Sequence, residues 1–264
     1  MSTRSTPSEP PMVSARGIVN RFGQQRLHDK IDFEVQAGEI VGIAGGSGSG
    51  KSVLLKTLVG LRRPDAGHVQ LAGRPVDAMA ADEKASLIGV LFQQGALFSS
   101  LSVAQNIMLA MHEHTTAPAV MCEQAAAMKL ALVGLPPEAG IKLPAELSGG
   151  MVKRAALARA LALDPRVLFL DEPTADLDAL TAGGIDELIE QLNRNLHVTV
   201  VLVSHDLTTL FSVCHRIAVL VDGQLIIDEL AALRRSSQPW IREFLHGPRA
   251  QAAIGAGRPH HGNR

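Results

Sequence analysis

A glycine-rich run of eight residues, Gly45-Gly46-Ser47-Gly48-Ser49-Gly50-Lys51-Ser52, constrains this chain more than any other feature. Its spacing, G-x-x-x-x-G-K-[ST], is that of a phosphate-binding loop. Residues 40–44 are apolar and predict a buried strand before the run, and residues 53–58 predict a helix after it. Because positions without a Cβ let successive backbone N–H groups converge on phosphate oxygens, the run predicts a nucleotide site rather than a flexible Gly/Ser linker.

The last two residues of this loop and a later acidic pair supply the groups that nucleotide hydrolysis needs. Lys51 is expected to reach the β- and γ-phosphates, and Ser52 to offer a hydroxyl ligand to Mg²⁺. Asp171 and Glu172 end a mostly apolar run, residues 166–170, that predicts a second buried strand. We predict Asp171 on the metal side and Glu172 as the general base that activates water. The alternative is an acidic pair that caps a helix.

Two more polar residues follow predicted strands. Gln93 comes after the apolar run 87–92, and His205 comes just after the β-branched run 198–203. The carboxyl ends of parallel strands share one edge of a sheet, so a single sheet would bring both side chains to the nucleotide crevice. We predict that they sense the γ-phosphate, and a structural polar role is the alternative for each.

Composition excludes several other classes of protein. The chain has 264 residues, of which 46% are hydrophobic and 19% charged, so it can bury a substantial core and is not disordered. A net charge of −1 gives no electrostatic reason to expect a nucleic-acid partner. Cys122 and Cys214 lack ligand or redox spacing and predict reduced thiols, hence a cytosolic compartment. No apolar run approaches the length of a membrane span.

The order of the predicted elements divides the chain. Residues 1–12 are expected to form a disordered leader, and residues 247–264 a flexible tail. Between them, residues 13–246 alternate strand and helix patterns, which predicts an α/β fold with a parallel nucleotide-binding core and an antiparallel β subsheet. Helical spacing over about residues 101–163 predicts a small inserted helical lobe, and residues 236–246 predict a C-terminal helical segment.

Residues 147–150, Leu-Ser-Gly-Gly, open the predicted helix just before the Asp171 strand. They resemble the signature motif of ABC-type ATPases, and the resemblance covers about residues 13–228. It implies a P-loop NTPase fold with a RecA-like core, an antiparallel β subdomain and an inserted α-helical subdomain, which hydrolyses ATP with Mg²⁺. The motifs occur in the order of the family: Phe22, 45–52, Gln93, 147–150, 167–172, 175–178 and His205.

The same resemblance implies roles for individual residues. Phe22, in a turn predicted over residues 20–23, would stack on adenine, although a surface or core aromatic is the alternative. Gln93 would be the Q-loop glutamine and a Mg²⁺ ligand, and His205 the switch histidine. Residues of the signature and the following D-loop would complete the ATP site of a second subunit in a head-to-tail homodimer; they are Ser148, Gly149, Gly150 and Asp178.

Within this family, Met151 stands where most transport ATPases have Gln. With residues 91–98, 152–160 and 240–247, it resembles the MlaF-type ATPases of bacterial Mla/Mce phospholipid transport systems. That resemblance implies a peripheral subunit on the inner face of the cell membrane, beneath a permease and with further lipid-binding components. An importer or exporter of another solute is the alternative. A soluble ABC ATPase acting on DNA or ribosomes is disfavoured by the single cassette, and a P-loop kinase by the signature.

Two apolar groups are predicted to form contacts with other subunits. Trp240, Phe244 and Leu245 share one helical face and would bury against another subunit, or else pack on their own domain. Leu97 and Phe98, just after Gln93, would present an apolar surface to a permease, with ordinary core packing as the alternative.

Overall fold

In the computed structural model, residues 10–93, 95–247 and 250 are described. Most of the predicted leader and nearly all of the predicted tail therefore lie outside the described residues.

A four-stranded antiparallel sheet forms one layer of the described fold, in the order β2-β1-β4-β5. From Ile31 to Val35, β2 alternates buried with more exposed side chains, as expected for a sheet with one face on the core, whereas β1 buries consecutive residues at 13–15 and 18–20. The predicted antiparallel β subdomain is confirmed. Its strands are β1 (Val13–Phe22), β2 (Gln25–Val35), β4 (Ala66–Leu71) and β5 (Arg74–Pro75).

The second sheet has six strands in the order β10-β9-β3-β8-β7-β6, all pairs parallel except the β9–β10 hairpin. Strands β3, β7 and β8 are buried along their whole length, which explains their continuous apolar sequences. This sheet is the predicted parallel core. Its strands are β3 (Ile40–Gly45), β6 (Ile88–Leu91), β7 (Val167–Asp171), β8 (Thr199–Val203), β9 (Arg216–Val221) and β10 (Gln224–Asp228).

Helices cover the six-stranded sheet, and three of them form the inserted helical subdomain between β6 and β7. There α3 packs on α4, and both contact α5. The helices are α1 (Lys51–Leu58), α2 (Ala81–Leu87), α3 (Val103–His114), α4 (Ala119–Leu132), α5 (Gly149–Ala160), α6 (Ala179–Leu196), α7 (Leu207–Val213), α8 (Leu230–Leu233) and α9 (Pro239–His246). Short 3₁₀ turns occupy Val76–Ala78, Pro137–Ala139 and Pro144–Glu146.

The core has two parts, one on each face of the parallel sheet. Phe33 and Phe169 belong to the part between the two sheets, and Leu202 and Leu157 to the part beneath the helices. Both cysteines are buried free thiols, and burial raises the pKa of the Cys214 thiol. The parallel strands are therefore held between two apolar layers, which fixes the position of the polar residues at their carboxyl ends.

One local prediction is wrong, and one helix was not predicted. Residues 20–22 belong to β1 instead of a turn, because Asn20 is fully buried and its amide bonds to side chains of neighbouring elements. Helix α2 was not predicted from the sequence, since none of its residues is buried and it lacks an apolar stripe.

Candidate nucleotide site

The glycine-rich loop joins the end of β3 to the start of α1. Gly48 (φ 76°) and Gly50 (φ 102°) have left-handed backbone conformations, and Gly50 is the N-cap of α1. A Cβ on Gly50 would lie 2.5 Å from His28 Nε2, so only glycine fits there. The loop thus presents the N-terminal end of a helix, whose free N–H groups suit a phosphate.

Lys51 folds back over this loop. Its Nζ donates to the carbonyl oxygens of Gly45 (2.9 Å) and Gly46 (3.0 Å). Burial lowers the pKa of the Lys51 ammonium, and the nearby carboxylates of Glu172 and Asp171 raise it. Within the described residues, the Lys51 ammonium donates hydrogen bonds only to these carbonyls. Phosphate oxygens carry more negative charge than carbonyl oxygens, so the ammonium is positioned to bind a phosphate in the loop.

Ser52 and Asp171 form an oxygen pair beside the loop. The Ser52 hydroxyl donates to Asp171 Oδ1 over 3.1 Å. Burial raises the pKa of the Asp171 carboxyl, and the hydrogen bond from Ser52 lowers it. A hydroxyl and a carboxylate are hard oxygen ligands of the kind that Mg²⁺ prefers, so the pair fits the predicted cation.

Glu172 follows Asp171 with a left-handed backbone (φ 52°) and is buried. Its Oε2 lies 2.8 Å from Nδ1 of His205, whose side chain is largely exposed, and 3.4 Å from the His205 backbone N. Since β7 and β8 pair side by side, Glu172 and His205, which lie just after these strands, come into contact. A nucleotide bound in the glycine-rich loop would therefore have this carboxylate and this imidazole beside it.

Lys153 of α5 connects the predicted Q-loop to this acidic pair, a role that sequence reasoning missed. Its buried ammonium donates to the carbonyl oxygens of Gln93 (2.7 Å) and Glu172 (3.1 Å). Burial lowers its pKa, while Asp176, Glu172 and Asp171 raise it. The sequence feature that could have indicated this role is a single lysine in a helix rich in alanine and leucine. The Gln93 side chain itself is exposed after β6, where it was predicted.

The segment after Gln93 is held in place by two further residues. The Arg159 guanidinium of α5 donates to the carbonyls of Ala96 and Gly95. The Asn106 side chain of α3 accepts from the Phe98 N–H (2.8 Å) and donates to the Phe98 carbonyl (3.1 Å). Phe98 is 53% exposed, so the alternative that it packs in the core is wrong. Leu97, in contrast, packs partly on the core.

The signature residues begin α5. Ser148 is the exposed N-cap and accepts from the Met151 N–H (3.4 Å), as predicted for the helix start. Gly149 is exposed, whereas Gly150 is buried so tightly that a Cβ would collide with the Thr181 side chain. Asp178 caps α6 by accepting from the Thr181 hydroxyl (2.6 Å) and from backbone N–H groups, which lowers its pKa. Their contribution to a second subunit's site stays a prediction.

Phe22 lies at the end of β1 and is 51% exposed. The Arg62 guanidinium carbon lies 4.3 Å from the centroid of its ring, a cation–π contact. Phe22 is therefore a surface aromatic with a cation on its ring. Adenine stacking on this residue stays a prediction.

The packing of helix α9 contradicts part of the prediction for the C-terminal segment. Ile241 and Leu245 are fully buried in the chain's own core, so the burial of Leu245 against another subunit is wrong. Trp240 and Phe244 stack with ring centroids 4.7 Å apart and are only partly buried. Trp240 also approaches the glycine-rich loop, since a Cβ on Gly46 would lie 3.8 Å from its Nε1.

The helices within the described residues are all too short or too polar to cross a bilayer.

The site combines a phosphate loop after the central strand β3 with an acidic pair at the end of β7, two strands away in the same sheet. Together with the serine-capped helix of the inserted lobe, these features define an ATP-binding cassette. Residues 28–175 match the family model described as ABC transporter, and the chain belongs to this family.

Two curated relatives extend the similarity over most of the chain. The chain is 38% identical over 240 residues to the intermembrane phospholipid transport system ATP-binding protein MlaF of Escherichia coli K12, covering 89% of each protein. It is 36% identical over 241 residues to the probable ribonucleotide transport ATP-binding protein mkl of Mycobacterium tuberculosis H37Rv, covering 90% of this chain and 67% of that protein.

Solved structures show the same fold. A dimeric ATP-binding cassette in a post-hydrolysis state, bound to ADP and Pi, superposes with a TM-score of 0.75 and is 30% identical. The match covers 83% of this chain and 99% of that structure.

Proposed function

We propose that this chain is the ATP-hydrolysing subunit of an ABC transporter that moves phospholipid between the inner membrane and periplasmic carriers. Residues 13–246 would be its ATPase domain, with the helical subdomain at about 101–163. The 38% identity to a phospholipid transport ATP-binding protein over 89% of both chains carries the proposal. The geometry around Lys51 and Glu172 supports the hydrolytic part.

Hydrolysis needs groups that bind the phosphates and a group that accepts a proton from water. The backbone of residues 45–50 and the Lys51 ammonium would bind the phosphates. The Glu172 carboxylate would accept the proton as general base, and His205, bonded to that carboxylate, would orient it and contact the γ-phosphate. The Lys153 ammonium holds the Glu172 backbone and so positions the base.

Mg²⁺ would be held by Ser52, Asp171 and Gln93. When bound, it would neutralise part of the phosphate charge that develops during hydrolysis. The Ser52–Asp171 contact supports this assignment for two of the three residues.

A second copy of the chain would complete each ATP site. Ser148 and Gly149 are exposed at the start of α5, where they can contact a nucleotide bound to another subunit. The similarity to a dimeric cassette bound to ADP and Pi supports a head-to-tail homodimer. Gly150 and Asp178 would then support this surface from within their own chain, through their contacts with Thr181.

The permease would dock in the groove between the parallel core and the helical subdomain, placing the chain on the cytoplasmic face of the membrane. Phe98 carries this assignment, because it is a large, exposed apolar residue a few positions after Gln93, and Asn106 holds its backbone N–H and carbonyl in place. A segment that contacts both the nucleotide and a partner can convert nucleotide state into rigid-body motion. Mla/Mce-type lipid-binding components would complete the transporter.

The test is to purify the chain with its permease from detergent-solubilised membranes and reconstitute the complex in liposomes containing labelled phospholipid. We expect ATP-dependent lipid transfer in wild type. Phe98→Ala should keep ATP turnover but lose transfer, whereas Leu196→Ala, a similarly exposed residue at the end of α6, should keep both.

An ATPase subunit for another solute is the second candidate, favoured by the 36% identity to a probable ribonucleotide transport protein. Transport of a small polar solute without transfer of labelled phospholipid would replace the lipid assignment with this one.

A further inference from the structure

His28 of β2 lies directly beneath the phosphate loop. Its side chain is fully buried, and its Nε2 faces Gly50, the residue that begins α1. On its other side, His28 Nδ1 lies 2.9 Å from Asn20 Nδ2 of β1. The imidazole therefore stands between the antiparallel sheet and the nucleotide-binding loop.

Neighbouring hydrogen bonds determine which nitrogen of His28 carries the proton. The Thr57 hydroxyl donates to the Val53 carbonyl (2.9 Å), so it can only accept from Asn20 Nδ2, 3.0 Å away. Arg62 Nε donates to Asn20 Oδ1 (3.4 Å), which agrees with this orientation of the amide. Because Asn20 presents its NH₂ group to His28, Nδ1 must accept and the proton must lie on Nε2.

The Nε2 atom is buried without a well-aligned hydrogen-bond partner among the described residues. The nearest group is the Gly50 backbone, whose weak hydrogen-bonding contact raises the His28 pKa. Burial, the largest effect, and the charge of Arg62 together lower the pKa to about 4. His28 is therefore neutral at neutral pH, with an N–H donor directed at the turn that begins α1. An unpartnered buried donor is unfavourable, so this one calls for a functional reason.

We propose that His28 is a positioning residue for nucleotide binding: once a nucleotide is seated, its Nε2–H donates to the Gly50 carbonyl and holds Gly50 in its left-handed conformation. The inference rests on the proposed role of residues 45–52 as the nucleotide site. It adds a residue from outside the glycine-rich motif, and it connects the phosphate loop through Asn20 to Arg62, which lies over the Phe22 ring. His28 does not contact the reacting atoms in this scheme.

The test compares two variants by isothermal titration with Mg·ADP, which is not turned over. His28→Leu fills the space but has no donor, and His28→Gln places an amide N–H near the position of Nε2. We expect His28→Leu to weaken binding about 2- to 10-fold, the range for one neutral hydrogen bond, and His28→Gln to bind within about twofold of wild type. In ATPase assays the KM of His28→Leu should rise while its kcat stays within about twofold.

The outcomes separate the possibilities. The role of His28 is overturned if His28→Leu binds Mg·ADP as tightly as wild type. It is also overturned if both variants bind equally weakly while their melting temperatures are unchanged. Lys51→Ala tests the underlying site independently, because it should abolish tight binding whether or not His28 takes part.

A second measurement is made on the wild-type protein, so no substitution can disturb the folding of the sample. In ¹⁵N-histidine-labelled wild type, the His28 resonances, identified among the ten histidines by their loss in His28→Gln, should show the Nε2–H tautomer. The Nε2–H proton should shift downfield when Mg·ADP is added. An Nδ1–H tautomer, or no shift at saturation, contradicts the proposal.

Discussion

His205 Nδ1 lies 2.8 Å from Glu172 Oε2, and the two residues come from the ends of adjacent parallel strands. The register of β7 and β8 pairs Asp171 with Val203, so each chain segment leaves the sheet at the same edge. The carboxylate is buried while the imidazole is largely exposed. The pair therefore places the carboxylate inside the fold and leaves the imidazole accessible from solvent.

Binding and hydrolysis should be separable by substitution. Glu172→Gln removes the proton acceptor and should bind ATP while losing about 10²- to 10⁴-fold of turnover. Lys51→Ala removes the ammonium from the loop and should lose tight binding altogether. Nucleotide titration and steady-state ATPase assays measure both effects, with the exposed Glu187→Gln as control. Wild-type hydrolysis by Glu172→Gln would show that Glu172 is not the base.

The signature should act across the dimer. Ser148→Arg homodimers are expected to lose most ATPase activity, because both shared sites carry the bulky charged side chain. Mixed with Lys51→Ala chains, they should recover at most one intact site per heterodimer, since one site has both motifs wild type and the other has neither. ATPase rates at several mixing ratios measure this. A full rate in Ser148→Arg homodimers would argue against the shared site.

Leu245 should contribute to the stability of its own domain. It is 1% exposed, so Leu245→Ala should lower the free energy of unfolding by about 2–5 kcal/mol. Arg242→Ala, on the exposed side of the same helix, should change it by less than about 0.5 kcal/mol. Urea denaturation checks both values. Equal stability of the two variants would place Leu245 outside the core.

Asp186 should make the protein less stable as the pH rises. Burial raises its pKa to about 7, and a hydrogen bond from Thr209 lowers it only in part. The unfolded carboxyl loses its proton near pH 4, so between about pH 4 and 7 the folded state binds more protons and stability falls. Asp186→Asn should therefore gain stability over wild type as the pH rises through this window, with the gain constant above it.

Urea denaturation at pH 5 and pH 8 measures this difference, and exposed Asp77→Asn is the control. A gain from Asp186→Asn that shrinks between these two pH values would contradict the assigned direction.

Patterns local to the sequence predicted most of the site. The glycine spacing of residues 45–52 predicts the phosphate loop. The apolar strands before Asp171 and His205 predict that these two residues lie near it, because the carboxyl ends of parallel strands lie at one edge of the sheet. Lys153 and His28 could not be found this way. Their roles depend on partners brought close only by packing, such as the Gln93 carbonyl and Gly50. For Leu245, the pattern showed an apolar helix face but not which surface would cover it.

The left-handed backbone of Glu172 has an evolutionary consequence. A non-glycine residue in that conformation costs on the order of 1–3 kcal/mol, so every folded copy gives up stability to keep this carboxylate beside His205. Glycine or asparagine would relieve that strain but would lack the carboxylate that the proposed mechanism needs. Selection for stability alone would therefore favour another residue, and the proposed role of Glu172 as general base accounts for the glutamate at this position.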